Sequence, residues 1–177
     1  MRIIGGKHKG RIFNLGKRFK HRPTTDIAKE GLFNILQNKL DFEDLSVLDL
    51  FSGTGNISFE FASRGCTNIT AVELSFQHVR IIQDIMKDLN EKQIKPVKAN
   101  VFKFCEKVGK SYDIIFADPP YELKQLADIP NLIFDNNLLN PGGIFILEHP
   151  KDYDFSDQKA YTETRKYGSV HFSFFEL

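Results

Sequence analysis

Apolar residues along the chain recur at helical spacing in some stretches and as strand-like runs in others, and each switch predicts an element. Ala28, Leu32, Ile35, Leu36 and Leu40 share one helical face and predict a helix to about residue 40. RPTTD starts it: Thr24 or Thr25 can cap, and Asp26 suits the first turn. SVLDLF (46–51) reads as a strand, NISFEFASR (56–64) as a helix ended by Gly65, and NITAVE (68–73) as a strand. Residues 75–91 predict a helix with Val79, Ile82, Met86 and Leu89 inward. PVKAN (96–100) predicts a short strand, 101–108 a short helix, YDIIFA (112–117) a strand and 123–136 a helix. GGIFILEH (142–149) is another strand, and AYTETRKYGSVHFSFFEL reads as two strands turning at Tyr167-Gly168. Strands alternating with helices predict βαβ units and a mainly parallel sheet, to which the closing hairpin adds an antiparallel strand. Upstream, RII and RIF flank GGKHKG, which predicts a short β-hairpin.

A chain of 177 residues fits one domain: a basic N-terminal extension over 1–22 and a main domain over 23–177. The 17 Phe suffice for a proper core, while no apolar run is long enough to span a bilayer and no secretory signal follows Met1. Cys66 and Cys105 form no C-x-x-C pair and read as reduced thiols of a cytoplasmic protein; no Cys/His spacing predicts a metal. The net charge of +1 conceals an asymmetry. Residues 1–25 hold eight basic and no acidic residues, so the remaining 152 residues are net −7. A basic end on a near-neutral protein predicts a polyanion there, with Lys7, Lys9 and Arg11 at the hairpin as phosphate contacts.

The chemistry is predicted at the C-terminal ends of the strands, where open α/β sheets bind ligands. DLFSGTGN (49–56) is a glycine-rich turn in which Gly53 and Gly55 let the backbone approach a ligand. Glu73 lies 18 residues past Gly55, at the next strand's end, where an acid accepts hydrogen bonds from ribose hydroxyls. A dinucleotide site wants a third glycine where this chain has Ser58. S-adenosylmethionine has no pyrophosphate and escapes that requirement, and Asp49 suits its amino group. Asn100 at the third strand's end suits the adenine amino group, with the Val101 amide facing the ring.

FADPPYE (116–122) closes the fourth strand, because proline cannot donate to a sheet ladder. A nucleobase amino group is a poor nucleophile, since its lone pair is delocalised into the ring. Acceptors on its two hydrogens favour the tetrahedral geometry that methyl transfer needs. Asp118 supplies a carboxylate, Pro119 a carbonyl of fixed direction, and Tyr121 a face for base stacking. A paired base must be flipped or single-stranded to enter. His149 reads as a strand-end histidine bonded to backbone; this chemistry needs no strong base.

Asp-Pro-Pro-Tyr is similar to the (D/N)PP(Y/F) motif of S-adenosylmethionine-dependent amino-methyltransferases. IIGGKHKGRIF, RPTTDIAKEGLFNIL, VLDLFSGTGNISFE, AVELS and FADPPYE also occur in the order seen in the RsmD family, and the resemblance covers essentially the whole chain. It implies a class I methyltransferase fold (Rossmann-like, seven strands with the last antiparallel). It implies methyl transfer to N2 of a guanosine in 16S ribosomal RNA, with the RNA or small ribosomal subunit as partner; nothing in the sequence demands more than a monomer. Asp49, Phe51, Gly53, Gly55, Glu73, Asn100, Val101 and Asp118 would line the cofactor site. Asp118, Pro119, Pro120 and Tyr121 would serve the base, and Arg22 and Thr24 would lie near the methionine end or the RNA. Asn100-Val101 and Asn56 depart from the family's usual Asp-Ala and small residue. Substrate recognition would rest on the hairpin and the pocket rim. The rival readings are adenine-N6 methylation with the same motif, protein glutamine methylation, and a non-catalytic RNA-binding protein.

Overall fold

The computed structural model describes residues 1–15 and 25–177. The alternation of periods becomes α1 (Asp26–Lys39), β1 (Ser46–Leu50), α2 (Asn56–Ser63), β2 (Asn68–Glu73), α3 (Phe76–Leu89), β3 (Ile94–Lys98) and α4 (Val101–Cys105). Then follow β4 (Tyr112–Ala117), a 3₁₀ turn (Leu126–Asp128), α5 (Ile129–Asp135), β5 (Leu139–His149), β6 (Tyr161–Tyr167) and β7 (Val170–Glu176). The strands form one sheet in the order β3-β2-β1-β4-β5-β7-β6. β1 to β5 pair in parallel, and β7 runs antiparallel to both β5 and β6. This is the predicted doubly wound α/β sheet with an antiparallel last strand.

Helix ends follow the expected chemistry. Thr25 caps α1 by accepting from the Ala28 amide, and Ser75 caps α3 by accepting from the His78 amide. α3 stops at Asn90, which takes a left-handed conformation. In α3 Ile85 joins the predicted inward residues in being buried, while Met86 packs against the core and stays partly exposed. The predicted helix over 123–136 starts only at Ile129, after the 3₁₀ turn.

The side-chain alternation of the strands divides the core into two. Val47, Ile69, Ile114, Phe116, Ile146 and Phe174 face α1, α2 and α3. Leu48, Leu50, Ile115, Phe145, Leu147 and Phe175 face α4 and α5. Cys66 and Cys105 are buried free thiols in these separate cores, and burial pushes both up to about 12. Among the described residues no helix is long and apolar enough to cross a membrane.

The N-terminal segment packs as part of the main core: Ile3 is buried with α1 and α2. The expected hairpin has a single antiparallel bridge, Arg2 to Ile12, around a 3₁₀ turn at Gly6–His8. Two of its amides turn to α2 instead of continuing a ladder. Ile4 donates to Glu60 Oε1 at 2.8 Å, and His8 donates to Ser63 Oγ at 2.9 Å. Glu60 is fully buried and also accepts from Lys29 Nζ at 3.0 Å and from Arg64. Lys29 is itself buried and reaches Arg2 O and Asn56 Oδ1. Replacing Glu60 with Ala takes the buried carboxylate away from the buried Lys29 ammonium and from Arg64, and leaves the Ile4 amide without its acceptor. We expect a loss of about 3 kcal/mol in a denaturant titration. A loss below about 1 kcal/mol would mean that this network does not hold the segment in place.

Candidate active site

Four strands deliver acids to one edge of the sheet. Asp49, Glu73, Asp118 and Glu148 stand at or just past the C-terminal ends of β1, β2, β4 and β5. Each lies two residues beyond one that faces α1, α2 and α3: Val47, Ala71, Phe116 and Ile146. The period of two therefore sends all four acids to the same face. His149 is one residue further and goes to the other face. There its Nδ1 is 2.9 Å from Pro150 O and its Nε2 2.8 Å from Ser173 Oγ, beside Phe155.

The turn after β1 is tight. Phe51, Gly53 and Gly55 have φ of +59°, +53° and +83°. A Cβ on Gly55 would come within 2.9 Å of the Phe59 ring, so this glycine is needed for packing as well as conformation. A Cβ on Gly53 would meet nothing within 4 Å, which leaves open space over the turn. The Gly53 amide donates to Glu73 Oε2 at 2.9 Å, and the Ser75 amide donates to Glu73 Oε1 at 2.7 Å. Glu73 thus anchors the turn, and its Oε1 also lies 3.4 Å from His78 Nδ1. Ser52 Oγ is buried there with no hydrogen-bond partner among the described residues.

Asp49 is buried beneath this turn and accepts from Ser58 Oγ. Burial is the main cause that raises its carboxyl to about 7; the Ser58 bonds oppose the rise and Glu73 adds to it. Ser58, which in sequence only breaks the dinucleotide pattern, is the partner that orients Asp49. Asn56, the unusual residue after Gly55, holds Lys29 through Oδ1 at 3.0 Å. Asn100 caps α4 by accepting from the Lys103 amide at 3.2 Å. Asn100 is thus the N-cap of α4, and one lone pair of Oδ1 remains for another donor. The Val101 amide opens α4, where no carbonyl of that helix reaches it.

β4 ends at Ala117, and the Asp118 amide still bonds Leu50 O at 3.3 Å. Pro119 is buried, while Pro120 and Tyr121 are exposed. Asp118 is held well above the usual carboxylate range, first by burial, then by the charges of Glu148 and Asp49. Tyr121 donates from its hydroxyl to Glu148 Oε1 at 3.4 Å. Glu148 is buried and belongs to this site. Its signal is present in IFILEH, where Ile144 and Ile146 mark the face that the acid shares.

The other expected site residues lie elsewhere. The α3 C-terminus sits at the edge where the parallel strands begin, opposite the acids. There Lys7 Nζ is 2.7 Å from Glu91 Oε1, and Arg11 is 3.1 Å from Asp88 Oδ2. Lys9 is exposed at the same turn. The structure does not bring these three to the acidic edge. Arg22 and Thr24 lie outside the described residues.

A family model described as conserved hypothetical protein 95 matches residues 1–176. The chain is 31% identical, over 84% of its length and 75% of the relative's, to ribosomal RNA small subunit methyltransferase D of Buchnera aphidicola subsp. Baizongia pistaciae. The chain belongs to this family. Its fold also matches a hypothetical protein of Thermus thermophilus at TM-score 0.88 and 26% identity, covering 100% of this chain and 99% of that one. The T. thermophilus 16S rRNA N2 G1207 methyltransferase (RsmC), solved with AdoMet and guanosine, matches in fold at TM-score 0.72 and 22% identity. That match covers 99% of this chain and 49% of the other.

Proposed function

We propose that this family member is an S-adenosylmethionine-dependent methyltransferase that modifies the exocyclic N2 of a guanosine in 16S ribosomal RNA. The observation that carries this reading is the meeting of Asp49, Glu73, Asp118 and Glu148 on one face beside Pro119 and Tyr121. The residues fit the cofactor. Buried acids of one sign favour a cationic ligand, the space over Gly53 is open, and Ser52 Oγ awaits a partner. The bound cofactor supplies an electrophilic methyl group on a sulfonium. Asp49 accepts from its amino group, Glu73 from its ribose hydroxyls, and the Val101 amide donates to its adenine. Asp118 and the Pro119 carbonyl accept the two hydrogens of the guanine amino group, and Tyr121 stacks the base. Holding the nitrogen in line with the methyl group is the main catalytic contribution. The methylated amino group is strongly acidic and releases its proton to Asp118 or water.

The test is to incubate the protein with methyl-labelled S-adenosylmethionine and small ribosomal subunits lacking their methylations, then identify the labelled nucleoside by mass spectrometry. N2-methylguanosine is expected. N6-methyladenosine would keep the chemistry and overturn the substrate.

Phosphate contacts by Lys7, Lys9 and Arg11 belong to the same proposal. Because Lys7 and Arg11 are paired with acids, their joint replacement by Ala should lower the slope of log K for RNA against log salt by about 1. Three unpaired cations would give roughly 2–3. An unchanged slope would move the RNA path away from this turn.

A further inference from the structure

Resting on the function proposed above, we infer that Glu148 selects guanine by accepting the N1–H of the target base beside its amino group. β4 and β5 are in register at Ala117 and Leu147, so Asp118 and Glu148 are the next residues along two neighbouring strands. Both face the same side, and Tyr121, the proposed stacking residue, reaches Glu148 Oε1 through its hydroxyl. A base seated on Tyr121 with its amino group on Asp118 has two ring nitrogens beside that group, and the inferred orientation turns N1 rather than N3 towards Glu148. In guanine that nitrogen carries a hydrogen, so the Watson–Crick edge offers donors at both N1 and N2. Two carboxyl groups side by side offer an acceptor oxygen to each of those donors. In adenine the corresponding nitrogen is a bare acceptor, and a carboxylate against it has no hydrogen to share. Glu148 is 4% exposed, so a mismatched base would meet a buried acceptor that water cannot reach.

The raised carboxyl of Asp118, caused after burial by Glu148, is consistent with two like charges at one small site. The Asp-Pro-Pro-Tyr segment alone serves any exocyclic amino group. Glu148 supplies what that segment lacks, a reading of the atom next to the amino group.

The test compares two ribonucleosides, guanosine and 2,6-diaminopurine riboside, titrated into the protein saturated with S-adenosylhomocysteine. Both carry the 2-amino group, but only guanosine has a hydrogen on N1. The wild type should bind guanosine at least about tenfold more tightly, in line with rejection by an unpaired buried polar group. Glu148→Gln puts a donor within reach of a bare N1, so the preference should fall at least about tenfold. The variant is also held at saturating S-adenosylhomocysteine, so a change in cofactor affinity does not enter the ratio. A general loss of structure would weaken both nucleosides together and leave the ratio alone. Equal binding of the two by the wild type, no measurable guanosine binding, or the same ratio in Glu148→Gln would each overturn the inference. Failure of the methylation reading shows separately, as absence of labelled N2-methylguanosine with the wild type.

Discussion

Asp118→Ala should lower the rate of methyl transfer by about a thousandfold or more while S-adenosylmethionine still binds. The expectation rests on position. Asp118 follows the last residue of β4, its amide is tied to Leu50 O, and Pro119 restricts its backbone. Its carboxyl is therefore aimed by the sheet and not by a mobile loop. Removing one preorganised partner of a reacting group costs roughly 10²–10³ in other enzymes. The loss of positioning for the amino nitrogen adds to this. Asp118→Asn separates two roles. An amide oxygen still accepts a hydrogen bond, so Asn should retain a substantial part of the rate if Asp118 acts by polarising and orienting the amino group. If its essential role were to take the proton, Asn would be as inactive as Ala. Single-turnover rates at saturating cofactor decide between them. A rate for Asp118→Ala within tenfold of the wild type would remove Asp118 from the reaction.

Much of this site is legible in the sequence because its parts sit where periods change. The glycine turn, Glu73 and Asp-Pro-Pro-Tyr each fall where a strand stops, and strand ends are marked by glycine, proline and capping residues. Asp49 and Asp118 can be placed at the edge by counting along their strands. The partners are harder to see. Ser58 and Asn56 act through helix faces, and nothing in α2 says that one reaches Asp49 and the other Lys29. Glu148 is visible only as an acid beside a histidine until the alternation of β5 is followed to its end. The hairpin is legible from its turn residues, yet its amides bond α2 side chains 55 and 56 residues away, a partner that no local pattern announces. Charge alone marks the basic residues of the turn, whereas their placement is set by Glu91 and Asp88 at the end of α3.

Asp49→Asn should make the protein without cofactor more stable above neutral pH and weaken S-adenosylmethionine binding by about a hundredfold. Asp49 is raised from 3.8 to about 7, chiefly by burial, with the Ser58 bonds opposing and Glu73 adding. The sign follows from where the protons sit. Between about pH 4 and 7 the folded protein holds the Asp49 proton and the unfolded chain does not, so this group's contribution to stability falls as pH rises through that window. It stays at its unfavourable limit above about pH 7. A gap of about three units corresponds to about 4 kcal/mol. Asparagine never ionises and can still accept from Ser58, so it avoids that cost. The difference between variant and parent should be near zero at about pH 4, grow to about 4 kcal/mol by about pH 8, and then level off. Denaturant titrations of both proteins across about pH 4–8 read it directly. Binding should move the other way, because a buried carboxylate deprived of its cationic partner, or a cation deprived of its carboxylate, loses most of the pair's value. In the parent, cofactor affinity should rise with pH towards about 7 as Asp49 ionises; in the variant this part of the rise disappears. A variant that binds S-adenosylmethionine as tightly as the parent would show that Asp49 does not meet the cofactor's amino group. A variant no more stable than the parent at about pH 8 would show that Asp49 is not held as a strained buried charge. If both changes occur together, Asp49 is a residue kept at a cost to the empty fold because the cofactor needs its charge.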